Sequence, residues 1–387
     1  MSDGTAIEWS DATWNFLVGC TKKSEGCRNC YAIRTVERLA TFPHNGERYQ
    51  GLTTKLPVLN WTGRVQFFPE RLAQPLSWKK PRRIFVNSMS DMFHEDVPVE
   101  VIDQAFAIMA LTPRHTYQVL TKRPERMAAY VSDLYERDFD TVSGLFSKTI
   151  DEWAGGPYGK DFTERYHPEW FPGQYGDEGR CEAQPTFFVG LPKPLPNVWL
   201  GTSTEDQRTA DERIPHLLNT PAAVRFLSCE PLLGPIDLTR VGARETGQGY
   251  RLDALTGEER YTGHVRRGIY GRVAWVITGG ESGPKARPMD PQWARAIRDL
   301  CQAAGVAFFH KQNGEFSPDR PNVLNPKGRY VHIDGEGDGI AKPELFQPGH
   351  PGYTVVYRVG KKAAGRLLDG IEWSQFPATR QLVGAPS

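Results

Sequence analysis

The feature of this sequence that most limits its fold is a repeated alternation of short apolar runs with helical stretches. Each run is rich in β-branched and aromatic residues, and a polar or glycine-containing turn follows it. Such alternation is typical of parallel βα units, because two parallel strands need a long crossover connection between them. The runs that fit the pattern are residues 14–17, 84–87, 117–120, 198–201, 224–228, 273–278 and 306–310.

Two of the intervening segments predict helices. Apolar residues form one broad face of residues 99–111, and residues 291–304 place Ala294, Ile297 and Cys301 at helical spacing. Helices with one apolar face are expected to pack on the outside of a sheet. We therefore predict an α/β fold, a partial TIM barrel of the (β/α)6 type, with about six parallel strands.

Two segments interrupt the repeat, and we interpret them as insertions in a barrel domain that spans residues 1–314. Residues 131–196 hold many aromatic side chains among Gly, Pro and charged residues, and residues 236–271 are rich in Gly, Arg and Thr. Long excursions of this kind are typical of lids and binding loops, so both insertions are expected over one face of the barrel. Residues 315–387 contain Pro and Gly clusters and a helical piece near 361–368. They predict a C-terminal extension that packs on the barrel.

The charge balance limits the possible partners. The chain carries 47 Lys and Arg against 46 Asp and Glu, a formal net charge of +1, so no overall field attracts it to nucleic acid or to an anionic membrane. Any contact with nucleic acid must therefore be local. The sequence has neither a signal-peptide pattern nor an apolar run of roughly 18 residues, so we expect a cytoplasmic protein that does not associate with membranes.

Three of the six cysteines lie in one short segment directly after the first predicted strand. Cys20, Cys27 and Cys30 form a Cys-x6-Cys-x2-Cys pattern, and the nearest downstream histidine, His44, lies beyond a probable helix. Three thiolates can bind three irons of a 4Fe-4S cluster and leave the fourth iron open to a small molecule, whereas structural zinc needs a fourth ligand nearby. The pattern thus favours an iron–sulfur cluster, with zinc and unliganded thiols as alternatives.

Unusual polar residues cluster after the other predicted strands, where parallel α/β folds bind ligands. In chain order the candidates are Ser88, Ser90, Asp91, Lys122, Ser203, Glu205, Glu230, Gly279, Gly280, Glu281, His310 and Lys311. Each type of residue also has a structural explanation. The segment 202–205 could cap a helix, the glycines could close a turn, and His310 could be a buried structural histidine.

The cysteine segment and its surroundings resemble the radical SAM superfamily, in particular a branch encoded by bacteriophages and prophages. The resemblance covers most of the chain and includes the acidic-aromatic segment 7–15, the Cys-Tyr pair at Cys30 and Tyr31, and the stretches 88–94, 120–124, 279–283 and 361–370. The pattern departs from the commonest one of the superfamily, because the first gap is six residues long and Asn29 replaces the usual aromatic residue before the last cysteine.

The resemblance implies a radical SAM fold and chemistry. The three cysteines would hold a 4Fe-4S cluster, at which S-adenosylmethionine is cleaved to a 5'-deoxyadenosyl radical that abstracts a hydrogen from the substrate. Tyr31, Ser88, Ser90 and Asp91 would bind the cofactor near its methionyl group, Ser203 and Glu205 would bind the ribose, and the backbone of Gly279 and Gly280 would approach a ligand. Glu230 and Glu281 are the candidate catalytic carboxylates.

The substrate and partners are a further expectation. Arg266 and Arg267 lie near Tyr270, a combination typical of phosphate contact with base stacking, although solvated charges are commoner. Together with Lys122, His310 and Lys311 they are candidate substrate contacts. The phage resemblance implies a nucleic-acid or nucleoside substrate, with isomerisation or rearrangement of a hypermodified thymidine in phage DNA as one case, and a host-cytoplasmic location.

Several alternatives remain open from the sequence. A radical SAM enzyme of this kind could instead repair a DNA lesion or modify a free nucleoside or a peptide. In each case a reductant protein of the flavodoxin or ferredoxin type would feed the cluster. A protein of another class, a zinc-stabilised nucleic-acid-binding protein without catalysis, also fits the cysteine pattern.

Overall fold

Seven parallel strands form one sheet, and they lie side by side in the order in which they occur along the chain. The computed structural model describes residues 5, 7–136, 194–242, 250–261, 264–318, 330–334, 340–341 and 353–378. The strands of the main sheet are β1 (Ala12–Trp14), β2 (Arg83–Val86), β3 (Thr116–Thr121), β4 (Val198–Ser203), β5 (Val224–Cys229), β6 (Trp275–Gly279) and β7 (Ala307–Gln312). A sequential order keeps every crossover on one face, as in a barrel and unlike a doubly wound sheet. The sheet curls into a half-barrel, which confirms the predicted TIM-like α/β fold.

Eight helices lie between and around the strands in the described residues. They are α1 (Tyr31–Leu39), α2 (Pro69–Leu72), α3 (Gln74–Ser77), α4 (Val99–Leu111), α5 (Pro124–Glu136), α6 (Gln207–Asn219), α7 (Pro291–Ala304) and α8 (Lys361–Ala364). The bounds of α4 and α7 coincide with the predicted segments. In α7 the ends are fixed locally, because Asp290 accepts a hydrogen bond from Gln292 N at 2.8 Å and Gly305 takes a left-handed φ of 65° after the last turn.

Residues of the strands alternate between two separate cores, as expected for a sheet covered on both faces. Ile84, Val86 and Tyr117 belong to the larger core on the helical side. Phe85, Trp199, Phe226, Trp275, Ile277 and Phe309 belong to a smaller aromatic core on the inner face, together with Trp9. The ring centroid of Phe376 lies 5.1 Å from that of Trp275, so Phe376 also covers this inner core. The aromatic side chains fill the lower part of the half-barrel.

Smaller antiparallel sheets surround the main one. They pair Leu17–Val18 with Gln66–Phe67, Thr53–Thr54 with Asn60–Trp61, and Leu367–Leu368 with Ile371–Glu372. A four-stranded sheet of the C-terminal region contains Phe316–Ser317, Tyr353–Arg358, Tyr330–Asp334 and Ile340–Ala341 in that order. This region contacts the half-barrel through Arg358, whose Nη2 donates to Gly283 O at 2.8 Å, and through Trp373, whose carbonyl accepts from His310 N at 3.0 Å.

The first strand was predicted two residues too late. The observed β1 pairs Ala12 with Ile84 and Trp14 with Val86, and the chain then leaves the main sheet. Leu17 pairs with Phe67 in another sheet, and its N–H donates to Asn87 Oδ1 at 3.1 Å. The apolar run at 14–17 therefore crosses from one sheet to the next, and its burial does not come from one strand.

The predicted insertions also need correction. Residues 131–136 belong to α5, where Val131 and Leu134 are buried, while residues 137–193 lie outside the described residues. The second insertion forms a three-stranded antiparallel sheet of Arg251–Asp253, Glu258–Tyr261 and His264–Arg266. It packs against α6, because Gly242 N donates to Asp211 Oδ1 and Gly271 N donates to Leu218 O, both at 3.0 Å. The described part of this insertion thus lies on the helical side and not over the strand ends. The helical piece predicted near 361–368 is shorter, since α8 ends at Ala364.

Among the helices in the described part of the chain, none is both long enough and apolar enough to cross a membrane.

The inner aromatic core yields a prediction about stability. Trp275 has no exposed surface and packs against Trp9, Trp199 and Phe226. We expect Trp275→Ala to lower the free energy of unfolding by about 3–5 kcal/mol, because a large buried side chain leaves a cavity that its neighbours cannot fill. Guanidinium unfolding measures the loss. The control Ile371→Ala removes a side chain that is 54% exposed and should change stability by no more than about 0.5 kcal/mol. Equal losses in the two variants would contradict this account of the inner core.

Candidate active site

A cavity of about 290 Å³ opens at the carboxyl ends of the strands, above the inner aromatic core. Its apolar floor consists of Ile7, Trp9, Phe85 and Leu120. Ends of β3, β4, β5 and β7 and the residues that follow β2 and β6 line its walls. The volume lies near the lower end of the range for small-molecule sites. A cavity at this edge of a parallel sheet is where such folds bind their ligands.

Most of the candidate residues meet in this cavity. Those that line it are Cys20, Cys27, Cys30, Tyr31, Ser88, Ser90, Asp91, Lys122, Ser203, Glu230, Gly280, Glu281 and Lys311. The structure does not bring Glu205, Gly279, His310, Arg266 or Arg267 into its lining.

The cysteine loop forms one wall of the cavity. It leaves the barrel at Gly19, whose φ of 103° favours glycine, and includes a short 3-10 turn at Glu25–Cys27. Cys30 is the residue directly before α1. Burial, followed by the charge of Asp91, raises the pKa of the Cys20 thiol to about 12, while Arg123 opposes the shift. Burial also raises the pKa of Cys30. As free thiols, both side chains are therefore neutral at pH 7.

The three cysteines do not by themselves make a site for a single metal ion. Within the described residues, no three His, Cys, Asp or Glu side chains are grouped so that they could hold a metal ion. Cys27 and Cys30 are nevertheless close enough to Cys20 that negative charge on either raises its pKa.

Glu205 anchors the cysteine loop to the end of β4. Its carboxylate is 1% exposed, and Oε1 accepts a hydrogen bond from Ser24 Oγ at 2.8 Å. Lys122 Nζ lies 2.9 Å from Oε1 and Arg213 Nη1 lies 3.1 Å from Oε2. Burial raises the pKa of Glu205, but attraction to the two cations outweighs burial, so the pKa lies below its ordinary value. A Cβ atom on Gly26 would overlap this carboxylate, which explains the glycine between the first two cysteines.

Glu281 anchors the other side of the loop. Its Oε2 accepts a hydrogen bond from Asn29 Nδ2 at 3.0 Å, and its carboxylate forms a two-pronged ion pair with Arg287 at 2.9 and 2.7 Å. The same guanidinium donates to Glu25 O at 2.9 Å. Asn29 therefore links the cysteine loop to Glu281.

Asp91 anchors the loop through Arg123. Its two oxygens accept hydrogen bonds from Thr121 Oγ1 at 2.7 Å, from Lys122 N at 3.0 Å and from Arg123 Nη1 at 3.0 Å. Ser90 adds a direct link, because its hydroxyl donates to Gly19 O at 2.6 Å. These carboxylate oxygens are occupied by protein donors, so Asp91 acts here as a structural bridge between β2 and β3.

Charged side chains in the cavity wall are paired with one another or with neighbours. Besides the pairs of Lys122, Arg123 and Glu281, Lys311 Nζ lies 3.1 Å from Glu230 Oε1. The pairs leave the wall close to electrically neutral. Three polar atoms of lining residues, Trp9 Nε1, Asn87 Nδ2 and Gln312 Oε1, have no hydrogen-bond partner among the described residues. Asn87 has a left-handed φ of 55°, which lets its Oδ1 reach Leu17 N.

Close packing explains the two glycines at the carboxyl end of β6. A Cβ atom on Gly279 would collide with the carboxylate of Glu230, and one on Gly280 would collide with the backbone of Asn313. Both glycines are thus required by close packing within the protein, and Gly280 alone of the two also lines the cavity. The cap predicted within 202–205 is also displaced, since Asp206 caps α6 by accepting from Thr209 N at 2.8 Å.

A family model described as "Protein of unknown function (DUF5131)" matches residues 4–377. The chain belongs to the DUF5131 family. No curated protein and no solved structure matches the chain. The match includes the cysteine loop and every strand of the half-barrel, so the cavity belongs to the part of the chain that defines the family.

In this DUF5131 protein, two of the candidate groups lie away from the cavity. His310 is fully buried on the helical side of β7, with Nδ1 2.9 Å from Thr278 Oγ1 and Nε2 2.9 Å from Asn313 Oδ1. Arg266 and Arg267 are exposed on the three-stranded sheet, where they pair with Glu259 at 3.8 Å and Glu258 at 2.6 Å. His310 is therefore a structural histidine, and the two arginines do not face the cavity.

Sequence reasoning passed over other lining residues of the DUF5131 protein. Asn87, Arg123, Ser228 and Gln312 line the cavity. Each stands within two residues of the last position of a main-sheet strand. Because ligands bind at strand ends in such folds, position alone could have suggested these residues. Their residue types did not set them apart from their neighbours: Asn87 and Gln312 are uncharged amides, and Arg123 directly follows another basic residue, Lys122.

The burial of His310 predicts a pH dependence of stability. Burial, helped by the charge of Arg366, lowers the pKa of His310 to about 4, although the hydrogen bond to Asn313 opposes the shift. An unfolded histidine binds its proton near pH 6.5, so unfolding takes up a proton between pH 6.5 and 4, and stability falls as the pH falls through this range. In His310→Gln we expect the loss of unfolding free energy between pH 7 and pH 5 to be smaller by about 2 kcal/mol. Urea unfolding at the two pH values measures it, and an unchanged loss would show that His310 titrates normally. Burial also lowers the pKa of His115 to about 4. Because His115 is present in both the wild type and the variant, its contribution to the pH dependence cancels in the comparison.

Proposed function

We propose that this chain is a radical SAM enzyme in which Cys20, Cys27 and Cys30 hold a 4Fe-4S cluster. The observation that carries the proposal is that three cysteines of one loop line a cavity at the carboxyl ends of a parallel half-barrel. When bound, the cluster would supply the electron that cleaves S-adenosylmethionine to the 5'-deoxyadenosyl radical.

The cysteine arrangement fits a cluster better than a single ion. A structural zinc ion takes four protein ligands, whereas the cysteine loop offers three. A cubane binds each thiolate at a separate iron, so its cysteines need not converge on one point. Three cysteines also leave one iron without a protein ligand, which is the position that a chelating cofactor requires.

Residues around the cysteines could hold the cofactor. The hydroxyl groups of Ser88 and Ser90 donate to Asn15 Oδ1 and Gly19 O, and their oxygens keep lone pairs that a methionyl ammonium can use. Ser203 offers a hydroxyl to the ribose, and the unpaired Asn87 Nδ2 and Gln312 Oε1 offer a donor and an acceptor to polar edges. Glu205 and Asp91 were expected to contact the ribose and the methionyl group. We assign them instead to anchoring the cysteine loop.

The apolar floor would help to exclude water from a reactive radical. Trp9, Phe85 and Leu120 lie directly below the cavity, and the inner aromatic core continues beneath them. A site with a dry base limits side reactions of the radical with solvent.

We further propose that the substrate is a base or nucleoside group of a nucleic acid. Support comes from the neutral cavity wall, in which Lys311, Glu230 and Lys122 are all engaged in ion pairs. A neutral base can enter such a cavity, while its phosphates stay outside. The resemblance to phage-encoded radical SAM proteins suggests an isomerisation or rearrangement of a hypermodified thymidine, and repair of a damaged base or modification of a free nucleoside or peptide are the competing reactions.

The cluster assignment is tested by anaerobic reconstitution with iron and sulfide. We expect a brown protein with about four irons per chain that cleaves S-adenosylmethionine to 5'-deoxyadenosine when dithionite is added. Replacing Cys20, Cys27 or Cys30 singly by Ala should remove the intact cluster and reduce cleavage to background, because each thiolate holds a different iron. Iron analysis and chromatography of the nucleoside product provide the two measurements.

The matched control is Cys301→Ala. Cys301 is fully buried on α7 and does not line the cavity, so this variant should keep its iron and its cleavage activity. Uptake of one zinc and no iron by the wild-type chain would refute the enzyme and favour a zinc-stabilised binding protein.

The substrate class is tested by mass spectrometry of nucleosides from cells or phage that carry either the intact gene or the Cys27→Ala gene. We expect one modified nucleoside to change in abundance or isomeric form only with the intact gene. Unchanged nucleosides together with an altered peptide or free metabolite would redirect the assignment of the substrate while leaving the cluster chemistry in place.

A further inference from the structure

Arg123 makes a direct contact between a buried positive charge and one of the cysteines. It follows β3, and its side chain is 4% exposed. Nη1 donates to Asp91 Oδ2 at 3.0 Å and also reaches Cys20 Sγ at 3.8 Å. The remaining nitrogens are also engaged, Nη2 with Thr21 Oγ1 at 2.5 Å and Nε with Glu95 Oε2 at 2.8 Å.

These contacts fix the guanidinium in one position. Asp91 and Glu95 hold it from two sides, and Thr21, the residue next to Cys20, holds it from a third. A planar fork with several donors suits such an arrangement, and a lysine could not make all of these bonds at once. The N–H group therefore points at the Cys20 sulfur as part of a built network.

The contact also has an electrostatic effect on the sulfur. The guanidinium of Arg123 is permanently positive and its Nη1 lies 3.8 Å from Cys20 Sγ, so it favours negative charge at this position. A cluster that accepts an electron gains one negative charge, and part of that charge spreads onto its thiolate ligands. Hydrogen bonds to the sulfurs and nearby charge are two of the factors that set the potential of an iron–sulfur cluster.

We propose that Arg123 raises the reduction potential of the cluster by stabilising its reduced state through Cys20. This inference rests on the proposed function, because it presupposes a cluster on the three cysteines. The electron comes from a low-potential reductant, a flavodoxin- or ferredoxin-type protein in the cell or dithionite in the test tube, and it resides on the cluster. Arg123 is thus a residue that tunes the cluster and does not contact the substrate.

Arg287 provides a matched control within the chain. Like Arg123 it pairs with a buried carboxylate, Glu281, and it holds the cysteine loop through Glu25 O at 2.9 Å. The hydrogen bonds of Arg287 go to oxygen atoms, whereas Arg123 also donates to a sulfur atom, Cys20 Sγ. The two arginines therefore share the tasks of charge pairing and loop anchoring, and they differ in the contact with sulfur.

The test is a potentiometric titration of the reconstituted cluster, followed by electron paramagnetic resonance, in the wild type and in Arg123→Gln and Arg287→Gln. For Arg123→Gln we expect the equilibrium constant for reduction to fall at least tenfold, which for a one-electron couple is a midpoint potential lower by about 59 mV. Arg287→Gln should shift the midpoint by less than half as much. Arg123→Lys, which keeps the charge but not the fork, should fall between the wild type and Arg123→Gln.

An unchanged midpoint in Arg123→Gln would overturn the proposal, and so would an equal shift in Arg287→Gln, because charge alone would then explain the effect. If Arg123→Gln takes up no iron, Arg123→Lys decides the question by its own midpoint. If neither variant assembles a cluster although circular dichroism shows both to be folded, Arg123 acts in assembly and the tuning role is refuted. A wild-type chain that takes up no iron would instead refute the proposed function itself.

Discussion

Burial of ion pairs at the strand ends is the constraint on which the candidate site depends. A carboxylate removed from water is costly unless cations and hydrogen bonds compensate it, and removal of one partner leaves an uncompensated charge. Asp91, Glu205 and Glu281 each meet this requirement by joining a strand end to the cysteine loop or to its neighbours. The loop has little regular structure of its own, so its position is determined by the barrel. The same three contacts that stabilise buried charge therefore also set where the cysteines lie.

The inner face of the half-barrel is divided into two layers of different chemistry. Trp275, Phe226 and Phe309 fill the lower layer, and the upper layer at the strand ends carries amides, hydroxyl groups and paired charges. The alternation of side chains along each strand brings both layers to the same face of the sheet. A rigid, dry base below polar walls allows a ligand to be held by directional contacts without deep penetration of water.

The general architecture could be predicted from the sequence, because periodicity and burial act locally. The bounds of α4 and α7 followed from their apolar faces, and all seven strands of the sheet lie within a few residues of the predicted runs. The role of individual site residues could not be predicted in the same way. Glu205 looked like a ribose ligand because it follows a strand, but whether a carboxylate is free depends on Ser24, Lys122 and Arg213, which come from other parts of the chain. The role of Asn29 is equally non-local, because it depends on a hydrogen bond to Glu281.

The aromatic core inside the half-barrel draws on segments that are far apart in sequence. Trp9 enters it before the first strand, and Phe376 enters it from beyond the last one, and both pack against Trp275. On the ribosome, a nascent chain can pair all seven strands before Phe376 has emerged from the exit tunnel, but it cannot yet cover that tryptophan. Completion of the inner core therefore follows the pairing of the main sheet, and the base of the cavity reaches its final form only after the segment around Phe376 has been translated.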